Sequence, residues 1–221
     1  MTTPEALSPK AAPAQAKIKL IHSDGHFLAA HKPIGMATYQ ESKGQGAHGL
    51  KEILEDQLNQ RLFPVHRIDA DTSGVVLFAL DSKSAAALVR LFKEHQVHKT
   101  YTAWCVGDVP EKGTIGSPLK KHKSEIKENA RTDYLRMKKW NGFSLVKVFP
   151  QTGRFHQIRR HFESIKHPLV GDPKYGSKAA WGPFFKGQAR LMLQAESVEF
   201  ISPFNKKPVK IQTKEKLSEK T

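Results

Sequence analysis

The chain has 221 residues, enough for one large domain or two small ones around a substantial buried core. A net charge of +15 and a pI near 9.9 favour a polyanionic partner, nucleic acid ahead of anionic membrane. A mean hydropathy of −0.51, the lack of an apolar run long enough to span a bilayer, and a single cysteine exclude a membrane-spanning helix and an intramolecular disulfide, and predict a soluble cytoplasmic protein.

In chain order, residues 1–16 place Pro4, Pro9 and Pro13 among Ala, Thr and Ser and predict a disordered leader. Lys17 to Ile21 and Phe27 to Ala30 predict two short strands around an Asp24-Gly25 turn, the second running into Lys32-Pro33-Ile34-Gly35. A polar, glycine-rich loop spans 36–48. Leu50, Ile53, Leu54 and Leu58 then recur at helical spacing to about Gln60. Gly74 to Leu80 is an apolar, β-branched run that predicts a buried strand. Ser82 is a candidate cap for a helix through Ala85, Leu88, Val89 and Phe92. Lys99 to Val106 alternates, with Tyr101, Ala103 and Cys105 on one face and Thr102, Trp104 and Val106 on the other. Phe143 to Phe149 and Arg190 to Phe200 predict two further strands, and the lysine-rich 205–221 predicts a tail that frays. Nothing between 17 and 204 reads as a linker, so that span is expected to be one domain.

Three segments carry chemistry. His66-Arg67-Ile68-Asp69-Ala70-Asp71-Thr72 concentrates ionisable groups just before the buried strand, where a rigid scaffold can hold them. The plainer alternative is an Asx turn closed by Thr72-Ser73-Gly74. In Gln151–His161, Thr152 is a candidate cap for a helix whose stripe is Phe155, Ile158, Phe162 and Ile165. Arg159 projects into that stripe while Arg160 points away. An arginine on a buried face needs a carboxylate partner, unless it snorkels from the edge. The segment 113–139 holds Lys120, Lys121 and Lys123 among further cations, either a solvated hairpin or a surface that tracks phosphates. Tyr101 is either a packing residue or part of a site. No HExxH, CxxC, Walker loop or G-x-G-x-x-G occurs, so neither a metal nor a nucleotide cofactor is expected.

The order His66-Arg67-Ile68-Asp69-x-x-Thr72-Ser73-Gly74 closely resembles the signature loop of the RluA-type pseudouridine synthases, with Ile68 where Leu is usual. Lys32-Pro33-x-Gly35, Lys99-x-Tyr101-x-Ala103, Thr152-Gly153-Arg154-Phe155-His156-Gln157-Ile158-Arg159 and His167–Gly176 resemble that family's other motifs, with Phe155 where Thr is frequent. The likeness spans about residues 17–204. It implies an α+β fold, a mixed and mostly antiparallel sheet flanked by helices with a central RNA-binding cleft. The sixteen-residue leader is too short for the S4-type module of many relatives, so the compact, catalytic-domain-only members are the ones it resembles. The resemblance further implies a cofactor-free isomerisation of uridine to pseudouridine in tRNA or 23S rRNA by a monomer. Asp69 would be the catalytic carboxylate, Arg159 its ion-pair partner, and Tyr101 a ring stacked on the uracil. Arg67, His66, Lys32, Arg154, His156, Arg160, Lys120, Lys121 and Lys123 would contact RNA, with Arg67 filling the gap left by a flipped base. Two other classes compete: a non-catalytic RNA-binding protein on the same fold, and a hydrolase using Asp69 and His66.

Overall fold

The computed structural model describes residues 17–40, 48–176 and 190–217. The expected leader, most of the glycine-rich loop over 36–48 and the last four residues lie outside them. The hairpin around Asp24-Gly25 forms from β1 (Leu20–Ser23) and β2 (Phe27–Lys32), and the Asp24 carboxylate accepts the backbone N–H groups of His26 and Phe27. Helix α1 covers Leu50–Leu58, and β3 is the two-residue Phe63–Pro64. Strand β4 (Ser73–Ala79) is buried at every position. Helix α2 (Ser82–Lys93) is capped by Asp81, not Ser82: the Asp81 carboxylate accepts the Ser84 N–H at 2.8 Å and the Ser84 hydroxyl at 2.6 Å. Asp81 is the better cap because its side chain reaches the third residue on from a still extended backbone.

Strand β5 (His98–Val106) is followed by β6 (Lys112–Ile115), a small hairpin of β7 (Leu119–Lys120) and β8 (Lys127–Glu128), and the long pair β9 (Thr132–Trp140) and β10 (Phe143–Pro150). Asn141-Gly142 joins β9 to β10 with both residues at positive φ, the pairing that suits a tight hairpin. Helix α3 (Gln157–Ser164), β11 (Leu193–Ile201) and β12 (Pro208–Gln212) complete the chain. The main sheet runs β1-β2-β4-β11-β5-β10-β9-β6, with β3 on β4 and β12 on β11. Among the described residues the one parallel pairing is β4 with β11. The α+β, mixed and mostly antiparallel architecture is therefore as expected.

Residues 205–217 do not fray. Strand β12 pairs with β11 from Ser197↔Gln212 to Ile201↔Pro208, and Leu217 is buried beside Trp104, Phe143, Val170 and Met192. Beyond β12, the buried His31 ring meets the Thr213 hydroxyl and the Glu215 carboxylate, each at 2.9 Å. Composition hid this: the lysines of the segment are exposed, while Ile211 and Leu217, six positions apart, supply its apolar anchors.

The apolar residues explain where a cleft can form. Strand β4 is sandwiched, with Val76 and Phe78 packing on Leu50 and Leu54 of α1, and Val75 and Leu77 packing on Leu88 of α2. Burial on both faces is why it reads as an unbroken apolar run. On β5, Ala103 and Cys105 pack against Ile158 and Phe162 of α3. Tyr101 touches both the α1 core and the α3 core, so it lies where the two meet. A sheet that carries two separate cores on one face leaves a trough between them, and that trough holds the site.

Gly74 sets the joint between β4 and β11. Its φ is +118°, and a Cβ there would lie 2.1 Å from the Ala195 carbonyl oxygen. Gly74→Ala is expected to cost about 3 kcal/mol through backbone strain and overlap. The measurement is the midpoint of urea unfolding, which should fall clearly below that of the parent protein.

Candidate active site

The trough is a cleft of about 670 Å³, with Asp69, Tyr101, Lys99, His156 and Arg159 among its lining residues. The loop 66–72 forms one wall and is pinned from the β2 side. Thr38 brackets Ile68, its hydroxyl donating to the Ile68 carbonyl at 3.1 Å and accepting the Ile68 N–H at 3.3 Å. The Ala70 carbonyl accepts from Gly35 N–H and from Lys32 Nζ, both at 2.9 Å. Lys32 also donates to the carbonyls of Pro33 and Met36 and is fully buried. Burial brings its pKa down to about 8, against the pull of Asp69 and Asp71. Lys32 therefore has no surface to offer a phosphate. The Lys32-Pro33-x-Gly35 motif is a clasp on the 66–72 loop.

His66 is likewise not an RNA-binding cation. Its Nε2 accepts the Leu77 N–H at 3.0 Å and its ring stacks on Phe92 at 4.5 Å. Burial, with Lys99 nearby, pushes its pKa down to about 3, so it stays neutral. An imidazole whose lone pair is spent on the backbone cannot serve as the base of a hydrolase, which removes that class.

The opposite wall is α3 and the loop before it. Thr152 does not cap the helix, because α3 begins five residues later, after His156 at φ +49°. The buried Gln157 amide organises the intervening loop instead. Its oxygen accepts from the Thr152 hydroxyl at 2.6 Å and Arg154 N–H at 3.0 Å, while its NH₂ donates to the Arg131 carbonyl and the Thr132 hydroxyl. All four sites of the amide's polar inventory are occupied, as its burial demands.

Arg159 is 2% exposed, so the reading that buries it beside Ile158 and Phe162 holds and the snorkelling alternative does not. Phe155 and Ile165, expected in the same helical stripe, fall outside α3, because the helix starts only at Gln157 and ends at Ser164. The main partner of Arg159 differs from the expected one. Nε and Nη2 each donate to the Asp172 carboxylate at 2.8 Å, a bidentate pair in which Asp172 is also buried. Asp172 further accepts the N–H groups of Lys174 and Tyr175. The third nitrogen, Nη1, points into the cleft, 3.9 Å from Asp69 and 3.6 Å from Asp71. Sequence reasoning passed over Asp172 because Gly171-Asp172-Pro173 reads as a turn. Its signal is that a buried guanidinium offers more donors than one loop carboxylate can satisfy.

Burial raises the pKa of Asp69, the neighbouring Asp71 adds to the rise, and Arg159, Arg67 and Lys32 oppose it. For Arg159, burial works against the charge, but the hydrogen bonds to Asp172 and the three nearby aspartates keep its pKa high. His156 Nε2 lies 3.8 Å from Asp69, and its Nδ1 meets the Tyr175 hydroxyl at 3.2 Å. Burial and the adjacent Arg159 lower its pKa to about 4, so at neutral pH it faces Asp69 as an uncharged ring. Tyr101 stays protonated, its pKa raised by burial and by the charge of Asp69. Lys99, absent from the expected site, lines the cleft with Nζ on the Thr152 carbonyl at 3.1 Å, and burial lowers its pKa to about 8.

The remaining basic residues divide. Arg154 pairs with Glu128 at 3.2 Å and donates to the Asn129 carbonyl. Arg160 does not project freely; it donates to the Lys120 carbonyl at 2.8 Å and ties the β7–β8 hairpin to α3. Lys120 pairs with Glu125. Lys121 and Lys123 are exposed. Arg67 is exposed at the cleft rim with its guanidinium 5.3 Å from the Tyr39 ring centroid.

Because Asp172 takes two of the three arginine nitrogens, Asp172→Ala leaves a buried cation short of its main partner. It is expected to cost about 3 kcal/mol of stability. Arg160→Ala, which loses a carbonyl contact at the surface, should cost about 1 kcal/mol. Urea unfolding of the two variants side by side checks the ranking.

The family model for RNA pseudouridylate synthase matches residues 26–164. The tRNA pseudouridine synthase C of Haemophilus ducreyi is 35% identical over 211 residues, covering 85% of this chain and 86% of that protein. The enzyme of the same name from Vibrio parahaemolyticus is 32% identical over 86% of this chain and 87% of its own. The ribosomal large subunit pseudouridine synthase D of Xanthomonas campestris is 30% identical over 90% of this chain and 66% of that protein. In fold, the chain is similar to human RNA pseudouridylate synthase domain containing 1, with a TM-score of 0.77 at 23% identity over 93% of this chain and 86% of that one. A cleft floored by a tyrosine and walled by an aspartate loop and an arginine helix thus sits in a chain that belongs to the RNA pseudouridylate synthase family.

Proposed function

We propose that this enzyme isomerises a uridine in structured RNA, tRNA first, with Asp69 as the catalytic carboxylate. The observation that carries the reading is the placement of Asp69 in the cleft, facing Nη1 of an arginine whose other nitrogens are locked on Asp172. Such an arginine is a fixed positive charge that cannot swing away or lose its proton. It favours the ionised carboxylate in a place where burial alone would neutralise it. The relatives from Haemophilus ducreyi and Vibrio parahaemolyticus, matched over 86% or more of their own length, are tRNA pseudouridine synthases by name, which supports tRNA ahead of rRNA as the substrate.

The reaction breaks the bond from C1′ to N1 of the uracil, turns the detached base and forms a bond from C1′ to C5. The proton on C5 leaves and N1 ends up protonated, so atoms balance without an oxidant or reductant. Asp69 acts at the sugar or the base, either as a nucleophile or by taking a sugar proton. Tyr101, neutral and at the cleft floor, supports the uracil face and lies near the position where the C5 proton departs. Lys99 extends the polar floor beside it. Neutral His156 and the apolar Ile158 and Leu193 keep the pocket from being a purely ionic channel.

Asp69→Asn is expected to abolish tritium release from RNA labelled at uridine C5 while leaving the RNA dissociation constant within about twofold, since phosphate contacts carry most of the affinity. In the parent enzyme the single-turnover rate should fall as pH drops through the raised pKa of Asp69, with a midpoint above the 3.8 of a free aspartate. Full activity of Asp69→Asn would refute the assignment.

Arg67 enters the base stack rather than breaking a bond in this reading, which its exposure at the rim, two residues before Asp69, supports. Arg67→Ala should slow conversion about tenfold or more on a folded stem-loop and much less on an unstructured strand, where unstacking costs little. Equal slowing on both would make Arg67 a brace of the loop, through Tyr39 or otherwise.

A further inference from the structure

Among the described residues, rings such as Phe78 and Phe162 are fully enclosed in the apolar cores. A second set lies outside the apolar cores. Phe155 stacks on His156, the ring that faces Asp69, with centroids 3.8 Å apart and planes 19° from parallel. His122 follows on Phe155 at 4.1 Å and 38°. Lys174 Nζ lies 5.7 Å from the Phe155 centroid. Three rings at the spacing of stacked bases therefore lead from the carboxylate toward solvent. Phe155 is half-buried and His122 is exposed.

Hydrophobic burial does not explain this arrangement, because the outermost ring gains little from it. Nor is His122 loosely held. It sits between β7 and β8, and that hairpin is tied to α3 through Arg160 and the Lys120 carbonyl. Its chain neighbours Lys121 and Lys123 are both exposed, and so is Lys174, whose Nζ lies 5.7 Å from the Phe155 centroid. A fixed aromatic face interleaved with cations is the composition of surfaces that hold single-stranded nucleic acid, rings for bases and cations for phosphates.

We propose that the His122–Phe155 ladder is a stacking site for a nucleobase that flanks the reacting uridine, with Lys121, Lys123 and Lys174 holding the adjoining phosphates. The base lies on the outward side of His122, two rings beyond His156, so it is a neighbour of the uridine and not the uridine itself. The proposal rests on the uridine-isomerase reading for its placement, but its contact is with RNA whatever the chemistry.

The test uses nine-nucleotide RNAs with one central uridine and 2-aminopurine walked through the flanking positions at low salt, bound to the full-length protein and to His122→Ala, His122→Phe and His122→Lys. Stacking quenches 2-aminopurine, so the parent protein should quench it at one flanking position. His122→Ala should lose that quenching and bind about 5- to 100-fold more weakly. His122→Phe should restore both and His122→Lys neither. An abasic site at that position should erase the difference between the parent and His122→Ala. The exposed ring can be removed without unfolding, which the urea midpoint verifies. No position-specific quenching, rescue by lysine as good as by phenylalanine, or no binding of these RNAs would overturn the stacking site. Tritium release from tRNA is measured in parallel: quenching without release refutes the isomerase reading alone, and release without quenching refutes the stacking site alone.

Discussion

The buried pair of Arg159 and Asp172 is the constraint on which the site depends. A guanidinium cannot be neutralised by burial, so once Arg159 lies inside the stripe of α3 the protein has to supply carboxylate. Asp172 supplies it from the segment after α3, and its backbone contacts to Lys174 and Tyr175 hold that segment in turn. Only the third nitrogen is left to face Asp69 and Asp71. The division of labour follows from the number of donors. Two are spent on structure, and because they are spent, the third has a fixed direction. A lysine there would provide one charge with no fork, and could not serve both partners with the same geometry.

That fixed charge lets a half-buried aspartate be useful. Burial and Asp71 push Asp69 toward the neutral acid, while Arg159, Arg67 and Lys32 pull the other way. The net result is a carboxyl held above the ordinary aspartate range and poorly solvated, with the fixed guanidinium opposing its neutralisation. The cations do not act alike. Lys32 is locked under the loop by three carbonyls and acts through space, whereas Arg67 is exposed and able to meet RNA. Two residues of one charge beside the same loop thus stand differently, one holding the loop and one extending from it.

What the sequence made legible follows from which interactions are local. The sandwiched strand β4 and the alternation of β5 are patterns within one segment and form where their period indicates, whereas of the stripe expected on α3 only Ile158 and Phe162 lie in the helix. The loop 66–72 was legible because its chemistry is contiguous. The caps were less so: Ser82 and Thr152 are good cap residues by type, but Asp81 and a left-handed His156 take those places through contacts that depend on the next turn. Asn141-Gly142 does carry a hairpin signal, and β9 with β10 follows from it. Partners were the hidden part. Nothing within Gly171-Asp172-Pro173 says that its carboxylate faces a helix thirteen residues upstream, and nothing in a lysine-rich terminus says that Ile211 and Leu217 have pockets waiting.

The same distinction governs the charge. An excess of +15 suggests a uniformly phosphate-seeking surface, yet several cations of the expected RNA face are engaged inside the protein. Lys32 holds a loop, Arg154 and Lys120 answer Glu128 and Glu125, and Arg160 fastens a hairpin. Their positive charge still contributes to the long-range field that draws a polyanion to the cleft, because fields do not require contact. The exposed cations stand on elements made rigid by the engaged ones: Arg67 on a loop clasped by Lys32, and Lys121 and Lys123 on a hairpin fastened by Arg160. Net charge sets the long-range field, and the internal use of part of that charge sets which cations stay exposed and on how rigid an element each one stands.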